Sequence, residues 1–247
     1  LGVLAVDLVV TPRLRWLAGA LGLAGLSAAV VPLLTLANCE GLSGCRPGPR
    51  ALFGGSYVVD DFALVLKGLF LVAGIVVLLA SFGYLRRGRY YEGEYYFLML
   101  ASITGAVVMA SARDLITVFI GLELVSGPAF LLAGSRTGDL RSNEAALKFF
   151  LVGVLSSAIL LFGMSLVYGT TGESTFAGIA AATAAVEGES AFVLGVLFVL
   201  VGFGFKVAAV PFHFWAPDTY QGAPLPVAAY LSVGSKGAGF VGLLTVC

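Results

Sequence analysis

Apolar runs long enough to cross a bilayer recur along almost the whole chain: Trp16 to Ala37, Phe62 to Tyr84, Tyr95 to Ala112, Leu115 to Gly134, Asn143 to Tyr168, Ala191 to about Trp215, and Leu225 to Cys247. A hydrocarbon core of about 30 Å takes about 20 such residues in helical form. Without water, a spanning backbone satisfies its own polar groups only as a helix or a closed barrel. Strands of about ten alternating residues, the mark of a barrel, are absent. The pattern therefore predicts an all-α polytopic membrane protein with the lipid bilayer as its solvent. Only 11% of the 247 residues are charged, against about 25% in soluble domains. Net charge is zero with no dense basic cluster, which excludes a nucleic-acid partner.

The opening LGVLAVDLVV is too short to span and lacks the charged start and cleavage site of a signal peptide. At the other end an apolar run stops at Cys247 with no polar exit, so the chain reads as an internal piece of a longer protein whose first helix is truncated. Lys and Arg in alternate loops divide eight (Arg13, Arg15, Arg86, Arg87, Arg89, Arg136, Arg141, Lys148) against three (Arg46, Arg50, Arg113). The positive-inside rule places the first group in the cytoplasm. The Gly- and Pro-rich loop from Asn38 to Asp61 then lies outside, where Cys39 and Cys45 are either a disulfide staple or two unpaired thiols.

Three spans carry a charge near their middle: Glu123, Lys206 and Lys236. Placing a charge at the bilayer centre costs roughly 2.5 to 3.5 kcal/mol, and such residues are functional candidates. Lys206 sits in GFGFKVAAVPFHFWAPDTYQGAPLP, between Gly202 and Gly204 on one side and Pro211 on the other. Proline removes a helical N–H, so the helix is expected to break there and free the carbonyl of Val207. Glu123 repeats the arrangement with Pro128 five residues on. A buried carboxylate and a buried ammonium relieve one another's cost when they meet, which makes Glu123 and Lys206 the expected pair. Either the pair is static and fixes helix packing, or it takes part in proton transfer. Lys236, which lacks an evident carboxylate partner, favours transfer.

His213, the single histidine, is either a continuation of that path or a polar residue at a helix break. No second histidine or cysteine stands at ligand spacing, so no metal site is expected. Lys148, four residues after Glu144, reads as an interfacial pair or as part of a proton uptake route. Lys67 is read as snorkelling outward, and Asp7 and Asp114 as solvated residues near helix ends. No phosphate loop, dinucleotide fingerprint or nucleophile with a base is present.

The stretches FIGLELVSGPAFLLAG, EAALKFFLVGVLSSAILLFGMSLVYGTTG, GFGFKVAAVPFHFWAPDTYQGAP and SVGSKGAGF together resemble the antiporter-like subunit N family of respiratory complex I, the proton-translocating NADH:quinone oxidoreductase. The resemblance covers most of the chain from about Asp60 onward. It implies an antiporter-like fold of about fourteen helices with two inverted five-helix repeats. Residues 1–94 would be the N-terminal transmembrane helices, and residues 95–247 the first repeat with its broken transmembrane helix, the C-terminal half of the protein being missing. By the same resemblance Glu123 biases the central lysine, Lys206 is that lysine, Lys236 relays toward the second half, and Lys148 matches the lysine of the intervening helix. A multi-pass subunit of the bacterial plasma membrane is implied, packed beside other complex I membrane subunits, including neighbouring antiporter-like ones. NADH, quinone, flavin and Fe–S clusters would all be bound elsewhere in the complex, with no cofactor in this chain. Two alternatives stay open: a subunit of a multisubunit Na+/H+ antiporter, and a passive membrane scaffold.

Overall fold

The computed structural model describes residues 2–9, 16–39, 48–88, 90–186 and 188–246. Helices α1 (Gly2–Val9) and α2 (Trp16–Ala37) are followed by a short antiparallel hairpin of β1 (Arg50–Leu52) and β2 (Tyr57–Val59), in register Arg50↔Val59. Its turn needs positive φ at Gly54 (67°) and Gly55 (96°), a region that glycine enters without a Cβ clash. The long helices come next: α3 (Asp61–Leu85), α4 (Glu92–Met109), α5 (Leu115–Ala133) and α6 (Leu140–Thr171). A short apolar α7 (Phe176–Val186) leads to α8 (Ser190–Val207). After a non-helical stretch come α9 (Trp215–Gly222) and α10 (Leu225–Tyr230), and α10 continues through a π-helical turn (Leu231–Ser235) into α11 (Lys236–Val246).

Six of these runs are long and apolar enough to cross a membrane: α2, α3, α5, α6, α8 and the continuous Leu225–Val246 segment. Helix α4 differs from the expected span. It starts earlier, at Glu92, takes Glu92 and Glu94 into its first turn, and falls outside that group. It is lodged against α1, α2, α3 and α5, burying Tyr95, Tyr96, Met99, Ile103 and Met109.

Three aspartates start three helices. The carboxylates of Asp60, Asp114 and Asp139 accept the backbone N–H of Ala63 (2.8 Å), Thr117 (2.7 Å) and Arg141 (2.9 Å), at the first turns of α3, α5 and α6. Asp114 is 4% exposed, so it is a buried cap and not the solvated residue expected. Asp7 also departs from expectation, with a buried Oδ1 that has no hydrogen-bond partner among the described residues.

The hairpin face is knitted by main chain. Val58 N–H donates to the Ser111 carbonyl (2.8 Å), Arg113 N–H to Ser56 (2.9 Å), Leu115 N–H to Ser174 (3.0 Å) and Phe176 N–H to Arg113 (3.1 Å). An Arg113–Asp60 ion pair at 2.8 Å closes the same corner. Arg50 and Arg113 therefore share one face, as the charge count requires. Cys39, beside this loop, is disulfide-bonded. Its candidate partner Cys45 lies outside the described residues.

Helices α6 and α8 pack closely enough that a Cβ on Gly163 would come 2.7 Å from the Gly195 carbonyl oxygen, and one on Gly195 3.0 Å from that of Gly163. Helix α8 then ends where sequence places the break, by a different device. Ala208 adopts a left-handed conformation (φ 57°, ψ 44°), with its N–H on the Phe205 carbonyl (3.0 Å) and the Ala209 N–H on that of Gly204 (2.8 Å). This is the hydrogen-bond pattern of a Schellman cap. Pro211, preceded by a cis peptide bond, lies in the following turn and not in a helix continuing from Val207.

Candidate functional site

Lys206 is 3% exposed in the last turn of α8. Its Nζ donates to Ser126 Oγ at 2.7 Å, and Ser126 in turn donates to the Leu122 carbonyl at 2.6 Å. The serine thus spends its proton on backbone and turns a lone pair to the ammonium. Along the lysine stem, α11 approaches so closely that a Cβ on Gly239 would lie 2.8 Å from Lys206 Cγ. Lys206 is wedged between α5 and α11, and Glu123 and Lys236 each stand three residues, close to one helical turn, from those contacts.

Glu123 and Lys206 do not form the direct pair expected. The Glu123 carboxylate accepts from Ser157 Oγ of α6 at 2.5 Å, and among the described residues neither Glu123 nor Lys206 enters an ion pair. Ser126, one turn from Glu123 on α5, takes the place of the carboxylate. Pro128 sits inside a continuous α5, and the turn before it receives another hydroxyl, Ser102 Oγ, on the Val125 carbonyl at 2.7 Å.

Half-buried Lys236 follows the π-helical turn and places its Nζ 5.2 Å from the centroid of the Tyr220 ring. Tyr220 belongs to α9, and this eight-residue helix ties the charged positions together. Its Trp215 stacks on Phe149 of α6 (4.6 Å between centroids) and donates Nε1–H to the Phe205 carbonyl at 3.3 Å, across the break. Its Asp218 takes Lys148 at 2.7 Å, and Lys148 also binds Glu144 at 2.7 Å. Lys148 is therefore paired as expected, with a second carboxylate added. Beside it a polar cleft of about 350 Å³ is lined by Arg141, Glu144, Asp218 and Gln221. His213 is exposed in the segment between α8 and α9. Lys67 is 7% exposed as a whole residue and extends its Nζ toward the hairpin, 4.6 Å from the centroid of the Tyr57 ring.

Sequence reasoning passed over Ser126, Asp218, Trp215 and Tyr220. The spacing of Ser126 from Glu123, and the position of the other three just after the break, were the available signals.

A lysine buried at a helix break, with a glutamate and a second lysine one turn away on the flanking helices, defines an antiporter-like membrane subunit. The chain belongs to the NADH:quinone oxidoreductase/Mrp antiporter, TM family, whose model matches residues 112–247. It is 45% identical, over its whole length, to NADH-quinone oxidoreductase subunit N 2 of Streptomyces griseus subsp. griseus, of which it covers 46%. Among solved structures it resembles a chain of respiratory complex I from Thermus thermophilus with bound aureothin, at TM-score 0.74 and 33% identity over 99% of this chain and 52% of that one. It shares its fold with a chain of the Mrp complex from Dietzia sp. (TM-score 0.71, 21% identity, 98% of this chain and 47% of that one). The chain spans about half the length of the curated relatives it matches.

Proposed function

We propose that this chain is part of a proton-translocating membrane subunit of a bacterial NADH:quinone oxidoreductase, seated in the plasma membrane beside other membrane subunits of the complex. In this reading residues 95–247 are the first five-helix repeat. Nicotinamide, flavin, clusters and quinone are handled elsewhere, and this chain supplies proton transfer alone. The observation that carries the proposal is the placement of Lys206. Its ammonium is buried against a neutral hydroxyl, with the Glu123 carboxylate one turn away and held by Ser157. An ammonium without a contacting counter-ion is sensitive to any movement of nearby charge, because Coulomb energy in a low-dielectric interior changes steeply with distance.

Redox chemistry elsewhere would draw Glu123 toward or away from Lys206. With Glu123 near, Lys206 holds its proton; with Glu123 away, the proton leaves toward Lys236. In that approach Glu123 would exchange its Ser157 bond for one to the ammonium. Lys148 and the adjoining cleft stand at the end of the bundle where protons would load, with Asp218 and Glu144 concentrating positive charge there.

In the assembled complex, Lys206→Ala should lower the number of protons pumped per electron in sealed membrane vesicles while the complex content is unchanged. Undiminished pumping would sink the assignment and leave the scaffold reading standing. Pumping that depends on sodium and not on NADH oxidation would point to the cation-antiporter reading.

A further inference from the structure

Tyr230, the last residue of α10, carries a hydroxyl that the path above does not use. The residue is 1% exposed, and its hydroxyl oxygen is buried with no hydrogen-bond partner among the described residues. The ring packs in the apolar core with Ala129, Phe130 and Phe205. Phenylalanine would fill the same space and leave no polar atom unsatisfied, so packing accounts for the ring and not for the oxygen. A buried hydroxyl without a protein partner is a place where ordered water hydrogen-bonds.

The surroundings of that oxygen lie between the two lysines. Its polar neighbour is Ser102 of α4, although the two hydroxyls do not meet in hydrogen-bond geometry. Ser102 gives its proton to the Val125 carbonyl at 2.7 Å, and its own oxygen keeps lone pairs for a further donor. Val125 directly precedes Ser126, which holds the Lys206 ammonium. On its other side the Tyr230 ring occupies the space that a Cβ on Gly234 would need, within the π-helical turn that leads into Lys236. Tyr230 therefore joins the α5 turn that receives Lys206 to the turn that presents Lys236. At the Lys236 end, the Tyr220 ring lies 5.2 Å from the ammonium, and its hydroxyl is likewise buried without a partner among the described residues. Buried water is held by two to four polar groups, and Tyr230 with Ser102 supply two.

We propose that the Tyr230 hydroxyl, with Ser102, holds ordered water between the Lys206 site and the Lys236 helix, and is a positioning residue for proton transfer between the two lysines; this rests on the function proposed above. In the transfer one N–H bond of the Lys206 ammonium breaks and one forms at the neutral Lys236 amine. Each water on the way takes one proton and passes one on, and the phenol ends with its own, so no other reactant is consumed.

Tyr230→Phe removes one oxygen and keeps the ring. The full-length variant is assembled in its complex and compared with wild type and with Lys206→Ala for complex content, protons pumped per electron and thermal midpoint. The expected result is unchanged content, a fall in protons per electron toward the Lys206→Ala value, and no rise in midpoint. A dry, merely buried hydroxyl predicts the opposite: its removal relieves an unsatisfied group, so the midpoint rises and pumping stays full. Full pumping by Tyr230→Phe, with Lys206→Ala impaired, overturns this inference alone; full pumping by Lys206→Ala overturns the proposed function and this inference with it. A density map of the wild-type complex gives a reading that does not depend on the variant. Water within hydrogen-bond distance of Tyr230 Oη is expected there, and a dry hydroxyl overturns the proposal.

Discussion

Ser126 holds the most exacting position of any single residue in the site. It accepts from Lys206 while donating to its own helix, so its removal strips a 3%-exposed ammonium of its hydrogen bond. Leaving a buried polar group unsatisfied costs about 1 to 3 kcal/mol, more when it is charged. Ser126→Ala should therefore lower the thermal midpoint of the protein and reduce coupled pumping, while Ser126→Thr, which keeps the hydroxyl, should retain both; equal behaviour of the two variants would remove Ser126 from the site. At this scale the sequence exposed the charges and hid their partners. Glu123, Lys206 and Lys236 stand out because an ionisable group in an apolar run is costly. Serine in the same run is unremarkable, since small polar residues also serve ordinary helix packing. Facing helices were inferable from spacing; which atom an ammonium bonds was not, because that depends on side-chain rotation and on the depth at which α8 ends.

Between elements, a close approach next to the site is the seam of α6 and α8, where Gly163 and Gly195 bring the two backbones together without intervening side chains. The seam fixes α8, and so Lys206, against α6, which carries Ser157 and Lys148. Gly163→Val forces a branched side chain toward a carbonyl oxygen, an overpacking that costs about 1 to 3 kcal/mol. A lower thermal midpoint, and a pumping loss larger than the fall in complex content, are expected; a neutral result would mean that the helices can separate without disturbing the lysine. Spans were legible because length and apolarity are physical requirements of the bilayer. The break after Lys206 was legible too, although its cause was misread: proline and glycine are visible letters, whereas an alanine in a left-handed cap looks like any other alanine. The π-helical turn before Lys236 and the hairpin at residues 50–59 left no comparable mark.

Across the whole molecule, the hairpin face and the charge-rich face are built differently. Burial disfavours the Asp60 carboxylate, but the Ala63 N–H and the Arg113 guanidinium outweigh it and hold Asp60 below the usual carboxylate range. A depressed folded-state value means that its stabilisation is complete above about pH 4, where the unfolded carboxylate is also ionised, and is lost as pH falls through the folded value. Thermal unfolding of the purified full-length protein should thus show a decline on acidification that Asp60→Asn makes shallower. The variant and wild type declining in parallel would show that the corner contributes nothing. The long apolar helices other than α4 were legible from apolar length; the knitting of this face was not, because main-chain pairing of Ser56, Val58, Arg113 and Leu115 carries no side-chain signature. The same property divides the tolerance of that surface: side chains at Ser56, Val58 and Leu115 can change without unfastening stitches made from main-chain atoms, whereas Asp60, Arg113 and the positive-φ Gly54 and Gly55 cannot.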